Sequence, residues 1–348
     1  MKTSLISSLS VTNALRLTMS QAQRDLMRAS QESLTGKHYD LGIALAEKTA
    51  QSVNMNREFD RLKAISTANS LVTTRMSSSQ EALESMVGSG QEILNTILAF
   101  GDNVDKNSIE TSRTAIRSQL TLFTDMANMS INGEYLFSGI NTDVQPMADV
   151  LDPASPARMA FDTAVSSFLS ANGLTDKSQM SAAQMQTLLG NLETMFTGPD
   201  WTASFSKASD TNMTSRISKN EVVQTSVNTN ADGMRYMVLG ALVALEFMDT
   251  SMSSDVRAVV KSATQEHIAA GIADLTAQRG KLGLSEERVK KANDSIEAQQ
   301  KIISDFLGAL EGIDVPEAAT RVKNLEALVE ASYTLTARIQ QLSLVNFL

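Results

Sequence analysis

Residues that commonly carry catalysis or hold metals are scarce in this chain. Its 348 residues include two histidines and no cysteine, which excludes disulfides, thiol catalysis and cysteine-ligated metals. His38 falls in an expected loop, and His267 lies beside the apolar Ile268. Neither has a second histidine or a cysteine at metal-ligand spacing. We therefore expect both histidines on the surface or on the flank of a helix, without a catalytic or metal-binding role.

Two glycine-containing segments could be mistaken for phosphate-binding loops. Residues 88–90 (Gly-Ser-Gly) lie within a helical pattern and lack the strand and third glycine of a nucleotide loop, which favours close helix packing or a kink. In 279–283 (Arg-Gly-Lys-Leu-Gly), the lysine is not followed by a serine or threonine for magnesium. Carboxylates are scattered over expected solvent faces. The sequence therefore predicts no catalytic, cofactor-binding or metal-binding residues and no enzymatic activity.

Charge and hydropathy exclude several partners. The net charge of −9 and the isoelectric point near 4.9 argue against a nucleic acid or an anionic membrane as partner. Apolar runs fall well short of the roughly 20 residues needed to span a bilayer. Residues 1–8 lack the apolar core of a cleaved signal peptide. These features predict a cytoplasmic protein or one exported without a cleaved signal.

Apolar residues recur with coiled-coil spacing near both ends of the chain. The N-terminal stripe contains Leu15, Met19, Ala22, Leu26 and Ala29. The C-terminal stripe contains Leu325, Leu328, Ser332, Leu335, Ile339 and Leu342, and the chain finishes at Leu348. Such stripes need partner helices to bury them, and we expect these partners to be the other chain end and neighbouring copies of the protein.

Long helical patterns occupy most of the remaining chain outside its centre. One runs from Met55 to Phe100, where ten of fourteen stripe positions are apolar, and another follows through Ile116 to Met126. Apolar residues then recur every seven positions from Ile268 to Leu310, which is the spacing of a supercoiled helix. Asp314, with a proline two residues later and a glutamate three residues later, predicts the start of a terminal helix.

The centre has a different character. Four of the five prolines fall between residues 146 and 199, around two short helical patterns at 161–169 and 180–196. Alternation at 201–205, and again within 213–217 and 223–227, predicts short strands.

These patterns together predict a mainly α fold. Its core is a long antiparallel coiled coil formed by both chain ends, and a small α+β domain is inserted in it. The predicted division is residues 1–139 and 226–348 for the two helical parts of the core and residues 140–225 for the inserted, outward-facing domain.

Several segments resemble a known family. Asn132, Gly133, Glu134, Tyr135, Leu136, Phe137, Ser138 and Gly139 are consecutive. This run, followed by Asn-Thr at 141–142, resembles the hallmark of the flagellin-like hook-associated proteins, which join hook to filament in the bacterial flagellum. Residues 34–37, the segment 279–283 with Arg288 after it, and the finish at 331–348 are similar to the flagellin family as well. The resemblance covers roughly 1–142 and 215–348.

The resemblance implies a structural adaptor at the hook–filament junction. Its implied partners are the hook-side junction protein, flagellin, copies of itself in a ring and a cytoplasmic export chaperone, with no nucleic acid and no membrane. Secretion would use the flagellar type III apparatus without a cleaved signal, and the protein would act in the extracellular flagellum. The assembly interface would comprise Leu15, Met19, Leu26, Leu325, Leu328, Leu335, Ile339, Leu342 and Leu348.

Three alternatives stay open at this point. A filament-forming flagellin belongs to the same structural class, and the motif at 132–139 argues against it. A cytoplasmic coiled-coil signalling module would have uninterrupted helices leading to one hairpin tip, which does not suit the prolines at 146–199. The third is an enzyme that uses the central segment, with Asp200 or Trp201 at its active site.

Overall fold

The computed structural model describes residues 8–99 and 105–345, without the side chains of 8, 9, 11, 12 and 339–345. Helices dominate this part of the chain. They are α1 (Ser8–Thr35), α2 (Leu41–Leu45), α3 (Thr49–Leu98), α4 (Lys106–Ala127), α5 (Pro156–Ala171), α6 (Ala182–Thr197), α7 (Asp232–Phe247), α8 (Ser254–Glu311) and α9 (Val315–Val345). The strands form two antiparallel hairpins, β1 (Ser130–Ile131) with β2 (Glu134–Tyr135) and β3 (Thr214–Arg216) with β4 (Val222–Gln224).

The chain divides into two compact units. Residues 1–64 and 296–348 make the first unit, and residues 65–295 make the second. Both boundaries fall inside long helices, α3 and α8. The first unit therefore contains both ends of the chain, and the second contains its centre.

In the first unit, α1 and α9 pack side by side in opposite directions. Glu32 near the end of α1 lies 3.8 Å from Arg321 near the start of α9. Gln23, further back along α1, donates a 2.7 Å hydrogen bond to Tyr333, which lies further along α9. The predicted antiparallel pairing of the chain ends is thus confirmed.

Local signals set the facing ends of α1 and α9. Gly36 follows α1 with a φ of +69°, the left-handed conformation that commonly closes a helix. Asp314 precedes α9, and its carboxylate accepts a 3.1 Å hydrogen bond from the backbone N–H of Glu317. Gly36 also accepts a backbone hydrogen bond from Ile313, which ties the two helix ends together.

In the second unit, α7 is the most deeply buried element. Twelve of its sixteen residues are buried, as expected for a helix that is apolar on every side. It contacts α4 and α6. On α8, a side chain at Gly271 would collide with Met237 of α7, whose Cγ lies 2.7 Å from the position of a Cβ there. Gly90 of α3 leaves room for the same methionine, so close packing explains the predicted kink or contact at 88–90.

Polar residues of α3 and α8 contact one another. Asn69 donates hydrogen bonds of 2.7 Å to the side chain of Asn293 and 2.9 Å to the carbonyl of Ile217. Gln80 donates to the carbonyl of Arg279, whose guanidinium lies 3.2 Å from Glu84. A shift of either helix along its axis would break these contacts and leave the buried amide of Asn69 unpaired, so they favour one register of α3 against α8.

The prediction of a strand at 201–205 is wrong. These residues form one turn of π-helix that buries Trp201 and Phe205 and leaves Ala203 exposed. The two aromatic rings stack at 5.4 Å, and Trp201 donates a 3.1 Å hydrogen bond to Asn230. A strand would turn residue 203 toward the same side as residues 201 and 205. Two apolar residues four positions apart also fit a turn of helix. The packing of the two rings favours the helical turn over a strand.

The remaining predicted elements are confirmed, with strands at 214–216 and 222–224 and helices close to the expected bounds. The first helix is expected to begin near Ser4, and both Ser4 and Phe100 lie outside the described residues. Residues 140–225 share one apolar core with 65–139 and 226–295. The division of the chain at 139/140 and 225/226 stays a prediction.

Alanine substitutions at two glycines of α8 can distinguish the effect of packing from that of helix propensity. A Cβ at Gly271 would meet Met237, whereas a Cβ at Gly280 would have nothing within 4 Å. We expect Gly271→Ala to lower the free energy of unfolding by about 1–3 kcal/mol through overpacking. Gly280→Ala should instead raise it by about 0.5–1 kcal/mol. Thermal denaturation of both variants measures the two shifts, and equal shifts would contradict this account of Met237.

Candidate assembly interface

Small residues bring α1 and α9 close together. Ala22, Ala29 and Ala318 are buried, whereas the larger Leu15, Met19, Leu26 and Leu325 are only half-buried. Alanine allows two helix backbones to approach each other. Its single methyl group adds little to stability, because burying one such carbon contributes only about 0.8 kcal/mol. The pair is thus formed through its smallest apolar residues, and its largest ones lie at the edge of the contact.

The predicted stripe on α9 is divided between two faces. Leu325 and Ser332 lie half-buried on the α1 side, whereas Leu328 and Leu335 are 47 % and 48 % exposed. On an ideal helix a step of three residues turns the side chain about 60° away, so every second member of the stripe leaves the contact. Ile339 and Leu342 belong to α9, but their side chains, and Leu348 entirely, lie outside the described residues.

Exposed apolar side chains concentrate in the first unit. Of the nineteen large apolar side chains that the structure describes as exposed, twelve belong to 1–64 and 296–348. On the helix pair they are Leu17, Met27, Leu34, Val315, Leu328, Tyr333 and Leu335. Large exposed apolar surface on a soluble chain is typical of a protein–protein contact.

A buried carboxylate links the α1–α2 connection to the end of α8, next to the start of α9. The side chain of Glu311, at the end of α8, is 1 % exposed and accepts hydrogen bonds from Lys37 Nζ (2.7 Å), Ser52 Oγ (2.6 Å) and Asn56 Nδ2 (2.8 Å). Its backbone carbonyl accepts from the N–H of His38. Burial alone would raise the pKa of Glu311, but these three donors outweigh burial and lower it.

Sequence reasoning missed Glu311 and its donors. A single acid among apolar residues at the end of a long helix was the available signal, because a charge in that position must be paired when the helix is packed. The partner could not be identified, since Lys37 lies more than 270 positions away in the sequence.

The first half of the motif at 132–139 is a tight hairpin. Asn132 and Gly133 join β1 to β2 with φ values of +53° and +83°, as a two-residue type I′ turn requires. Arg75 of α3 secures the second strand. Its guanidinium lies 2.8 Å from the Glu134 carboxylate and donates a 2.6 Å hydrogen bond to the carbonyl of Tyr135.

The second half of the motif enters the core of the second unit. Leu136 and Phe137 are fully buried, and the carbonyl of Phe137 accepts a hydrogen bond from the N–H of Thr229. Gly139 has a φ of +64°, and a Cβ there would lie 2.6 Å from the carbonyl oxygens of Ser209 and Thr211. The motif therefore positions the chain after α4, and each of its glycines has a conformation that other residues rarely adopt.

The expectation that His267 lies on the surface or a helix flank is wrong. The residue is buried, because α7 covers this side of α8 and the ring of Tyr236 stacks on the imidazole at 5.8 Å. Within residues 8–99 and 105–345, no three histidine or acidic side chains are placed to hold a metal ion. No helix in the same residues is long and apolar enough to cross a membrane.

Comparisons with known proteins agree with this arrangement. The family model for the bacterial flagellin N-terminal helical region matches residues 6–142, and that for the C-terminal helical region matches residues 266–348. A comparison with curated protein sequences finds no match. Among solved structures, the chain is similar to a Vibrio parahaemolyticus protein provisionally assigned as a flagellar hook-associated protein. The TM-score is 0.52 at 12 % identity, over 76 % of this chain and 97 % of that one.

The likeness to the solved structure shows a shared, mainly α fold. The family models together match well over half of the chain, and they include both α1 and α9. The chain belongs to the bacterial flagellin family. It is a structural, non-enzymatic component of the flagellum that associates with other axial proteins.

The contribution of Glu311 should depend on pH. Its pKa is lowered in the folded protein, so its stabilisation is present above the unfolded pKa and is lost as pH falls through the folded value. Glu311→Gln places an amide N–H₂ against hydrogen-bond donors, which should lower the free energy of unfolding by about 1–3 kcal/mol near pH 7. Hydrogen exchange at the N–H groups of His38 and Ile313 measures the loss, which should shrink in acid. Glu326→Gln, an exposed change on α9, is the control, and an equal effect would refute this role.

Alanine substitutions at Gly139 and Gly133 can distinguish a steric clash of the new Cβ from backbone strain alone. Both have positive φ, but a Cβ at Gly133 would have nothing within 4 Å. Gly133→Ala should therefore lower the free energy of unfolding by about 1 kcal/mol, and Gly139→Ala by about 2–4 kcal/mol. Denaturant titration of the two variants gives this comparison. If the two losses were equal, the carbonyls of Ser209 and Thr211 would not be the constraint.

Proposed function

We propose that this chain is the adaptor that joins the hook to the filament in the bacterial flagellum. The single observation that supports the junction role most strongly is the motif at 132–139, whose sequence resembles that of the hook-associated members of the family. The Vibrio protein that shares the fold is provisionally assigned to the same group. An adaptor needs surfaces for two different neighbours, which is supported by the exposed apolar side chains on the helices at the chain ends and by a second compact unit.

The proposed mechanism is mechanical. The α1–α9 pair leaves apolar side chains uncovered, and neighbouring copies and other axial proteins cover them in the tube. Leu15, Met19, Leu26, Leu325, Leu328, Leu335, Ile339, Leu342 and Leu348 form this assembly interface. Covering what is still exposed on one leucine such as Leu335 contributes on the order of 1 kcal/mol, and the ring repeats the contact in each subunit.

Export and location follow from the same proposal. The chain leaves the cell through the flagellar type III apparatus and acts in the extracellular flagellum, where residues 140–225 face outward. In the cytoplasm, an export chaperone covers the apolar C-terminal stripe. The hook-side junction protein and flagellin are the neighbours on either side of the ring.

Electron microscopy of cells that lack this protein tests the junction role, together with an assay for flagellin in the medium. We expect bare hooks with flagellin released into the medium, and filaments restored by the wild-type gene. Normal filaments in the deletion strain would refute the proposal. Bare hooks without secreted flagellin would show instead that the chain is the filament subunit, a second candidate supported by the two flagellin family models.

Leu335→Glu tests the assembly face. Burying an unpaired carboxylate between subunits costs several kcal/mol, so the variant should not assemble, whereas its melting temperature should change little because Leu335 is already half exposed. Met159→Glu is the matched control, a 50 % exposed position on α5 in the second unit. Sedimentation of polymers and thermal denaturation measure the two properties. Normal polymers from Leu335→Glu would exclude this residue from the interface.

A further inference from the structure

A groove in the second unit has no part in the assembly face. It lies between α6 and α8, which both pack against α7, and its volume is about 530 Å³. Its lining includes Leu189, Glu193, Val259, Ala263, Glu266 and His267. Gly190 on the rim would have free space around an added Cβ. The groove is thus open, its lining mixes small apolar residues with the polar Gln186 and Ser262, and its charged groups lie at one end.

The polar end contains a largely buried imidazole. His267 is 7 % exposed and lines the groove, so a part of its ring can be reached from there. Burial lowers the pKa of His267, although Glu193 and Glu266 act in the opposite direction. The ring is therefore neutral near pH 7, and one of its nitrogens can accept a hydrogen bond.

Negative charge surrounds this imidazole. Glu193 from α6 and Glu266 from α8 line the groove, and its described lining contains no lysine or arginine. Tyr236 stacks on His267, and burial followed by the charges of Glu193, Asp232 and Glu266 raises the pKa of its phenol. The same two glutamates act on both rings, so the carboxylates and an acceptor nitrogen lie at one end of the groove.

We propose that this groove binds the lysine or arginine side chain of a neighbouring protein chain. The two carboxylates attract its charge, and the imidazole of His267 accepts one of its N–H groups. The apolar side chains of Leu189, Val259 and Ala263 cover the aliphatic part of the same side chain. The groove follows α6 from Gln186 to Glu193, on the order of 10 Å, so a short stretch of the partner backbone lies along it beside Gly190.

The two histidines of the chain make this site measurable by NMR. The probe is a twelve-residue alanine-rich peptide with one central arginine, added to the full-length protein. We expect saturable shifts of the His267 ring resonances, whereas those of His38, in the first unit, stay unchanged. The same peptide with citrulline, which has nearly the same shape without the charge, should bind at least tenfold more weakly.

Variants and a small cation complete the test. Glu193→Gln and Glu266→Gln should each weaken the arginine peptide at least threefold, and Glu287→Gln, an exposed acid elsewhere on α8, should not. Equal binding of the citrulline peptide, or no saturable shift at His267, would overturn the proposal. Agmatine binding as tightly as the arginine peptide would also overturn it, because the groove would then be a site for small amines.

Discussion

The first unit has more apolar side-chain surface than a pair of helices can cover. A seam between two helices buries a narrow stripe on each, and here Ala22 and Ala29 fill most of it on α1. At about 100° per residue, Leu26 and Met19 lie beside this stripe, and Met27 lies further around the same helix. The rest of this apolar surface is exposed to solvent in the single chain. This side-chain distribution fits the association with other axial proteins that membership of the flagellin family implies.

The second unit satisfies the opposite condition. Its central helix α7 is covered by its neighbours, and glycines on α3 and α8 allow them to approach it closely. Ion pairs also close its edges, as where Glu246 at the end of α7 contacts Arg158 and Lys177, both at 2.8 Å. Burial alone would raise the pKa of Glu246, but these two cations lower it. One chain therefore combines a unit whose apolar core is covered with a unit that leaves many apolar side chains exposed.

The helices and their order could be predicted because periodicity is a local property of the sequence. The pairing of the ends followed from their uncovered stripes, and the cap at Asp314 from its immediate neighbours. Local patterns could not show that Asn69 and Asn293 are partners, nor that Glu311 contacts Lys37. They also could not show that His267 is buried, because α7, which covers it, lies elsewhere in the sequence. The conformation of residues 201–205 could not be predicted either, because it depends on the stacking of Trp201 on Phe205.

The antiparallel pairing of α1 with α9 also sets the order of events in folding. Gln23 and Tyr333 are 310 positions apart, and Lys37 and Glu311 are 274 apart. Contacts so distant in sequence form slowly, since a long loop must close before they form. The second unit needs only residues 65–295 and can condense around α7 while the ends are still apart. Helix α1 is synthesised first, but it can pair only after α9, the last helix, has been synthesised.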